Sequence, residues 1–527
     1  MGMFFQVYSA GIWGIDGFLI SVEADIRDGL PGFILTGNLS QETREASERV
    51  RTALKNSGFS LPTKKVTINL APADIRKDGT GYDLAIAASV LGACVLGDER
   101  DGQEEWKEEQ KKFWDSSMAA GEVGLDGRVK PVRGVISLVL AARERGIVRC
   151  FLPKENVAEG ELVEGIEIIP VEHLTQLWAM IKKPEKRREK LQKNAKDNCR
   201  KKNGAKKKDS EEYDVDFSEL NGQPLLRRAT EIAVAGRHNL LYIGSAGTGK
   251  TMAAKRIPTI MPPLGREESL EISKIYSICG MLPEDMPLVR KRPFRSPHHT
   301  ITASALAGGG SVPRPGEISL SSGGVLFLDE LPEFSGKVIE ILRQPLEEKR
   351  VTVSRVHGSC TFPAKFMLVA AMNPCPCGYY PDRSRCRCSP WQVRRYIGKI
   401  SKPILDRIDI TVEASPVAYH EFRKKEKNES SARIRLRVMK TLEIQQKRGQ
   451  FNGEMGAKEV ERYCILGEEE ENYLQQIYQK MGLSARGCHK ILKVARTIAD
   501  LEGKERIEKI HLSEAVSYRS LEEKYWS

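Results

Sequence analysis

The sequence predicts an α/β fold centred on a buried parallel sheet, with an α+β unit before it and a run of helices after it. Three stretches carry that prediction. Leu240-Leu241-Tyr242-Ile243 is an apolar run of strand length that leads into Gly244-Ser245-Ala246-Gly247-Thr248-Gly249-Lys250-Thr251 and then into the helix formers Met252-Ala253-Ala254-Lys255. Gly324-Val325-Leu326-Phe327-Leu328 is a second apolar run, ending on Asp329-Glu330. Such a run reads as a parallel strand covered on both faces, with its carboxylates delivered at the C-terminal tip. Met367-Leu368-Val369-Ala370-Ala371-Met372 is the third, and it ends at Asn373.

A strand, a glycine-rich loop and a helix in this order make a phosphate cradle. Glycines let the loop N–H groups turn inward, Lys250 reaches the β- and γ-phosphates, and the Thr251 hydroxyl takes a place on Mg²⁺. An ordinary glycine-rich turn does not require this spacing or these flanks. Asp329 is placed to hold Mg²⁺ through water and Glu330 to orient an attacking water. Asn373, at a strand tip beside them, can hold that water or the γ-phosphate. The chain is therefore expected to hydrolyse ATP with Mg²⁺.

Composition limits what surrounds this centre. A chain of 527 residues is long enough for two to four domains. No apolar segment approaches a membrane span, and Met1-Gly2-Met3-Phe4-Phe5-Gln6 has neither a signal-peptide nor a myristoylation pattern, so a cytoplasmic protein with no membrane partner is expected. Eleven cysteines, four of them tightly grouped, favour metal binding over a disulfide framework. The net charge of +12 suggests a polyanionic partner, although much of the excess sits in one segment.

In chain order, Phe4 to about Thr36 alternates apolar and polar residues and reads as strands. Ser40 is a candidate cap for a helix from Gln41 to about Ser57. A strand over Lys65–Pro72, an apolar helix over Tyr82–Val95, the stretch Met118–Leu125, a helix from about Val132 to Arg145 and the stretch Cys150–Pro153 complete an α+β unit. Asp74-Ile75-Arg76-Lys77-Asp78-Gly79-Thr80-Gly81-Tyr82-Asp83-Leu84-Ala85 and Gly121-Glu122-Val123-Gly124-Leu125-Asp126-Gly127-Arg128-Val129-Lys130-Pro131-Val132 resemble motifs of the Lon-protease-type fold. Proteolytic members carry a nucleophilic Ser and a Lys where this chain has Gly81 and Ile136. Without that pair acyl transfer has no nucleophile, and Lys130 reads as a solvated turn residue, so a scaffold or nucleic-acid-contacting surface is expected.

Lys182 to Ser210 is basic and poor in apolar residues. It reads as a linker, either a solvated spacer or a non-specific phosphate contact. The second domain opens near Phe217 with an amphipathic helix over Leu225–Gly236. After the cradle helix comes a long excursion containing Arg295-Ser296-Pro297-His298-His299-Thr300 and Gly308 to Gly316. The His pair lacks partners at zinc spacing and is read as structural, adenine-neighbouring or part of a pore loop. Thr352–Val356 and Thr361–Phe366 suggest a hairpin with Pro363 at an edge. Cys375, Cys377, Cys386 and Cys388 form two close pairs that can converge on Zn²⁺, or else are surface thiols. Pro403–Ile410 closes the core. Helices are expected over Ala432–Arg448, Glu468–Met481, Ser484–Leu501 and Leu512–Arg519, with Ser431, Ser484 and Ser513 as candidate caps.

Together with Asp78-Gly79-Thr80-Gly81, Arg295-Ser296-Pro297-His298-His299, Asn373-Pro374-Cys375-Pro376-Cys377-Gly378 and Leu405-Asp406-Arg407-Ile408-Asp409, the chain resembles the magnesium-chelatase-like branch of the AAA+ superfamily, the ComM or YifB family. The resemblance implies a Lon-protease-like domain over 1–180, a basic linker over 181–215 and an AAA+ core over 216–415. The core carries a Cys-rich insertion at 374–390 and is followed by a helical lid over 416–527. By analogy Asn373 is sensor 1, Arg407 the arginine finger reaching a neighbour's nucleotide, and Arg486 sensor 2. A finger acting in trans implies a closed ring, a homo-hexamer. The resemblance also implies a DNA motor for branch migration in natural transformation, with single-stranded or branched DNA read through its backbone and shape. Two alternatives stand beside it: the ATPase subunit of a metal chelatase, and an ATP-gated protein scaffold.

Overall fold

Period-two alternation at the start of the chain folds as a hairpin. Met3–Trp13 pairs antiparallel with Asp16–Arg27, so Ile20, Val22, Ala24 and Ile26 all point to one buried face. Gly14, with φ of 68°, takes the left-handed conformation that this tight turn requires. The computed structural model describes residues 3–96, 104–182, 213–283, 287–310, 312–355, 358–417 and 428–526. From residue 183 to 212 the basic linker lies outside the described residues.

The chain divides into two compact units, Met1–Ser210 with Ser269–Val289, and Glu211–Glu268 with Arg290–Ser527. Unit 1 is built on a seven-stranded mixed sheet. Its spatial order is Gly32–Thr36, Lys65–Ala71, Asp16–Arg27, Met3–Trp13, Ser117–Ala119, Arg149–Pro153 and Glu167–Val171. Neighbouring strand residues serve opposite faces: Ala119 and Phe151 join one apolar cluster, Met118 and Leu152 the other. The helix Asp83–Leu96 is buried almost throughout, and Gly92 lies so close to the Phe5 ring that a Cβ there would come within 2.2 Å of it. Ser269–Val289 packs here too, although it follows the cradle helix in sequence.

Unit 2 has a five-stranded, all-parallel sheet. Its order is Phe294–Arg295, Val325–Leu328, Met367–Met372, Leu240–Ile243 and Ile410–Glu413. The three central strands are buried at every position, as parallel strands covered on both faces must be. Among the described residues, five helices of four or more residues follow the sheet: Ser431–Arg448, Ala457–Tyr463, Glu468–Lys480, Ala485–Leu501 and Lys509–Trp526. They share one apolar core with the sheet.

Several local expectations need correction. The helix expected over Gln41–Ser57 is two helices, Gln41–Arg44 and Ala46–Asn56, interrupted at Glu45; Ser40 does cap the first, accepting from Thr43 N. Val135, not Val132, starts its helix, because Gly134 takes φ of 74° just before it. Ser430 is the cap residue of Ser431–Arg448. Ser431 lies inside that helix, where its buried hydroxyl accepts from Phe217 N and Thr259 Oγ1. Ser513 is likewise internal, to a helix that begins at Lys509. The hairpin pairs Arg350–Arg355 with Gly358–Pro363, and Pro363 ends a two-stranded ribbon whose outer edge spares it a ladder bond.

Candidate nucleotide-binding site

Parallel pairing aligns the three functional strand tips. Ile243 lies beside Met372 and Leu328 beside Ala370, so the cradle, Asp329 and Asn373 emerge on the same edge of the sheet. They line a cavity of about 370 Å³ formed by 246–252, Asp329, Glu330, Met372 and Asn373. Gly247 and Gly249 adopt φ of 79° and 88°, conformations that a side chain would strain. Gly244 is required for a different reason, since a Cβ there would stand 2.5 Å from Ala414 O.

Lys250 opens the helix Lys250–Ile260 and is buried. Its ammonium donates to Gly244 O at 2.7 Å, Ser245 O at 2.8 Å and Asn373 Oδ1 at 3.2 Å. Burial lowers its pKa, opposed by the nearby charges of Asp329 and Glu330. Thr251 Oγ1 donates to Asp329 Oδ2 at 2.6 Å. Glu330 is exposed and sits at φ of 52°, unusual for a residue with a Cβ. Its carboxylate lies 3.6 Å from His299 Nδ1.

Two further residues touch this site. His299 was visible as half of a His pair, but only folding brings it to Glu330. Gln223 precedes Pro224–Gly236 and is buried; its Nε2 donates to Thr248 O at 3.0 Å and also to Ser415 O, tying the cradle to the end of the last strand. No pattern around Gln223 announces this.

The two arginines stand apart from the cavity. Arg407 O accepts from Asn239 Nδ2 at 2.8 Å. Asn239 precedes the cradle strand, so Arg407 lies at the sheet edge opposite Lys250. Its guanidinium pairs with Glu347 and donates to Pro403 O. Lys490 Nζ donates to Leu405 O and Ile408 O, pinning the turn that carries Arg407. Arg486 is exposed in the first turn of Ala485–Leu501, whose cap Ser484 accepts from Gly487 N. Among the described residues it does not line the cavity.

The four cysteines come together directly after Asn373. Their Sγ atoms all lie within 4.8 Å of one another, with Cys375 at 3.4 Å from Cys377 and 3.7 Å from Cys386. A tetrahedron with Zn–S bonds of about 2.3 Å has edges of about 3.8 Å, so this thiol set fits Zn²⁺. A hydrogen bond from the Tyr379 backbone draws the Cys377 thiol down to about 6.

In unit 1, Gly81 and Ile136 offer no nucleophile or base, and Lys130 Nζ is 3.5 Å from Glu122 in an exposed ion pair. Among the described residues, no helix is long and apolar enough to cross a membrane.

Comparison with known proteins gives a consistent picture. Three family profiles match: magnesium chelatase subunit ChlI over residues 216–422, subunit ChlI of Mg-chelatase over 22–156, and the ChlI C-terminal family over 428–519. The competence protein ComM of Haemophilus influenzae is 38% identical over 521 residues, covering 98% of this chain and 97% of the relative. Uncharacterized protein YifB of Escherichia coli is 38% identical over 519 residues with the same coverage. Lon protease 1 of Thermus thermophilus is 29% identical over 177 residues, 31% of this chain and 20% of that protein.

Proposed function

The chain belongs to the ComM/YifB family of magnesium-chelatase-like AAA+ proteins, and from that premise we propose that it is a ring-forming ATPase that acts on DNA as a helicase driving branch migration. The observation that carries the ATPase reading is the shared sheet edge on which Lys250, Thr251, Asp329, Glu330 and Asn373 converge.

In this reading the loop N–H groups of 244–249 and Lys250 bind the triphosphate, and the ammonium exchanges its carbonyl acceptors for phosphate oxygens. Thr251 and Asp329 would hold Mg²⁺, which when bound supplies charge neutralisation at the phosphates. Glu330 orients the attacking water, His299 steadies Glu330, and Asn373 aligns the γ-phosphate side. Arg486 belongs to the same nucleotide, reaching it by movement of its helix. Arg407, at the opposite edge from its own cradle, serves the nucleotide of the next copy. Repeating that head-to-tail contact closes a ring, read as a homo-hexamer.

Relationship to a competence protein and the +12 charge support DNA as the partner, single-stranded or branched and bound without sequence preference. Branch migration during DNA uptake is the process this assigns. Zn²⁺ is the ion assigned to Cys375, Cys377, Cys386 and Cys388, as a structural centre. Ten free cysteines among the described residues support a reducing compartment, the cytoplasm. Unit 1 is read as non-proteolytic, since Gly81 and Ile136 replace the acyl-transfer pair.

The test is the ATPase rate with and without single-stranded and branched DNA, alongside mass determination in ATP. Stimulation by DNA and a hexameric mass are expected. Hydrolysis indifferent to DNA would instead favour a chelatase-type ATPase or a protein scaffold.

A further inference from the structure

Directly after the Cys pair at 375 and 377, the chain presents a strongly basic surface. Residues 379–402 hold five arginines and two lysines against a single acid, Asp382. That is a net +6 within 24 residues, half the excess of the whole chain, and all seven cations are exposed. Arg387 and Arg394 meet no carboxylate among the described residues.

Aromatic rings are interleaved with these cations. Trp391 is 64% exposed and Tyr379 40% exposed, so both rings are open to solvent. Arg385 lies 4.2 Å from the Tyr379 ring centroid, and Arg395 lies 5.1 Å from that of Trp391. The backbone beneath is well held. Cys386 N donates to Asp382 O at 2.8 Å, Asp382 Oδ1 accepts from Ser384 N and Oγ, and the four thiols gather below. A capping box of Ser389 with Gln392 then fixes the start of Pro390–Ile397, which carries Trp391, Arg394 and Arg395.

We propose that this surface binds single-stranded nucleic acid, with Arg387 and Arg394 on successive phosphates and bases stacked on Trp391 and Tyr379. Exposed aromatic faces among unpaired guanidiniums are the elements that grip a single strand without reading its sequence. A duplex keeps its base faces covered and offers these rings nothing to stack on, so the surface favours single strands. The inference rests on the DNA-motor reading and deepens it by naming where the strand is held. Its position also has a consequence for hydrolysis. The surface begins six residues after Asn373, whose Oδ1 accepts from Lys250, so strand binding and the phosphate site share one short segment of chain.

The experiment uses the full chain with a non-hydrolysable ATP analogue and a fluorescein-labelled oligothymidylate, read by anisotropy across a salt series. Trp391→Ala should weaken binding by about tenfold, the loss of one stacked base, and Trp391→Phe should restore most of it. Arg387→Ala with Arg394→Ala should flatten the log–log salt dependence by about 1.4, two phosphate contacts at about 0.7 each. Unstimulated ATPase and assembled mass should be unchanged in all three variants. If wild type binds the oligonucleotide and is stimulated by it while the variants match it in affinity and slope, this surface is overturned and the motor reading stands. If wild type neither binds nor responds, the motor reading falls and takes this inference with it. Loss of assembled mass in the variants would assign the surface to contacts between copies and overturn the proposal.

Discussion

Thr251 Oγ1 donates to Asp329 Oδ2 across 2.6 Å, joining the first turn of the cradle helix to the tip of the acid strand. The two oxygens that would share Mg²⁺ are thus already aligned by the parallel sheet. Thr251→Val keeps the shape and removes the hydroxyl. We expect the Mg²⁺ concentration for half-maximal hydrolysis to rise at least about tenfold, with folding stability changed by no more than about 1 kcal/mol. A magnesium titration of the ATPase rate checks this, and an unaltered midpoint would remove Thr251 from the metal site.

In the proposed mechanism Glu330 orients the attacking water and His299, 3.6 Å away, only steadies its carboxylate. Glu330→Gln should bind ATP and assemble but hydrolyse about 10²–10⁴-fold more slowly, the scale of a lost water-activating group. His299→Ala should cost roughly tenfold, because it only steadies that carboxylate. Single-turnover rates with separately measured nucleotide affinity distinguish the two. Equal losses would mean that His299 touches the reacting groups itself.

Asp500 anchors the helical end of unit 2. It is buried, and accepts from Arg448 Nη1 at 2.8 Å, Arg496 Nε at 3.1 Å and Asn452 Nδ2 at 2.8 Å. Asp500→Ala leaves the buried guanidinium of Arg496 and the half-buried one of Arg448 without their counter-charge and should cost about 3–5 kcal/mol of stability. Denaturant unfolding reads this directly; a loss below 1 kcal/mol, about the worth of a surface pair, would contradict it.

Glu159 makes unit 1 sensitive to pH. Burial raises its pKa above the ordinary 4.5 even though it accepts from Ile136 N at 3.1 Å and from Ser277 Oγ. A carboxyl whose folded value exceeds its unfolded one contributes most below that unfolded value. The contribution is lost as pH rises through the raised folded value. Glu159→Gln should therefore gain stability relative to wild type on going from acid to neutral pH. Paired thermal melts across that range check the sign, and a pH-independent difference would count against it.

How much of this was legible in the sequence depends on the range of the contact. The cradle, Asp329-Glu330 and Asn373 could be read because strands covered on both faces are continuously apolar and stop where their functional residues begin. The Cys quartet was legible as a candidate group from its clustering, but its Cys-X-Cys pairs left surface thiols open until the fold brought the four Sγ atoms together. What sequence periodicity cannot encode is pairing across distance. Ser269–Val289 carries no compositional mark of belonging to unit 1, yet Ser277 meets Glu159, 118 residues away. His299 beside Glu330 is the same kind of contact. Ser431 and Ser513 have the identity of caps, but the helices begin at Ser431 itself and at Lys509, so both serines lie inside them, and a serine caps only where the backbone is still extended.

The central claim is that one triphosphate is held by Lys250 of one copy and touched by Arg407 of the next. The most direct measurement mixes two inactive variants, Lys250→Ala and Arg407→Ala, and follows ATPase rate against their ratio. Each alone should be slowed by at least about 10³-fold. Mixed rings contain interfaces with an intact Lys250 facing an intact Arg407, so the rate should rise to a maximum at intermediate ratios. Co-assembled mixtures that stay as inactive as either variant alone would contradict the account.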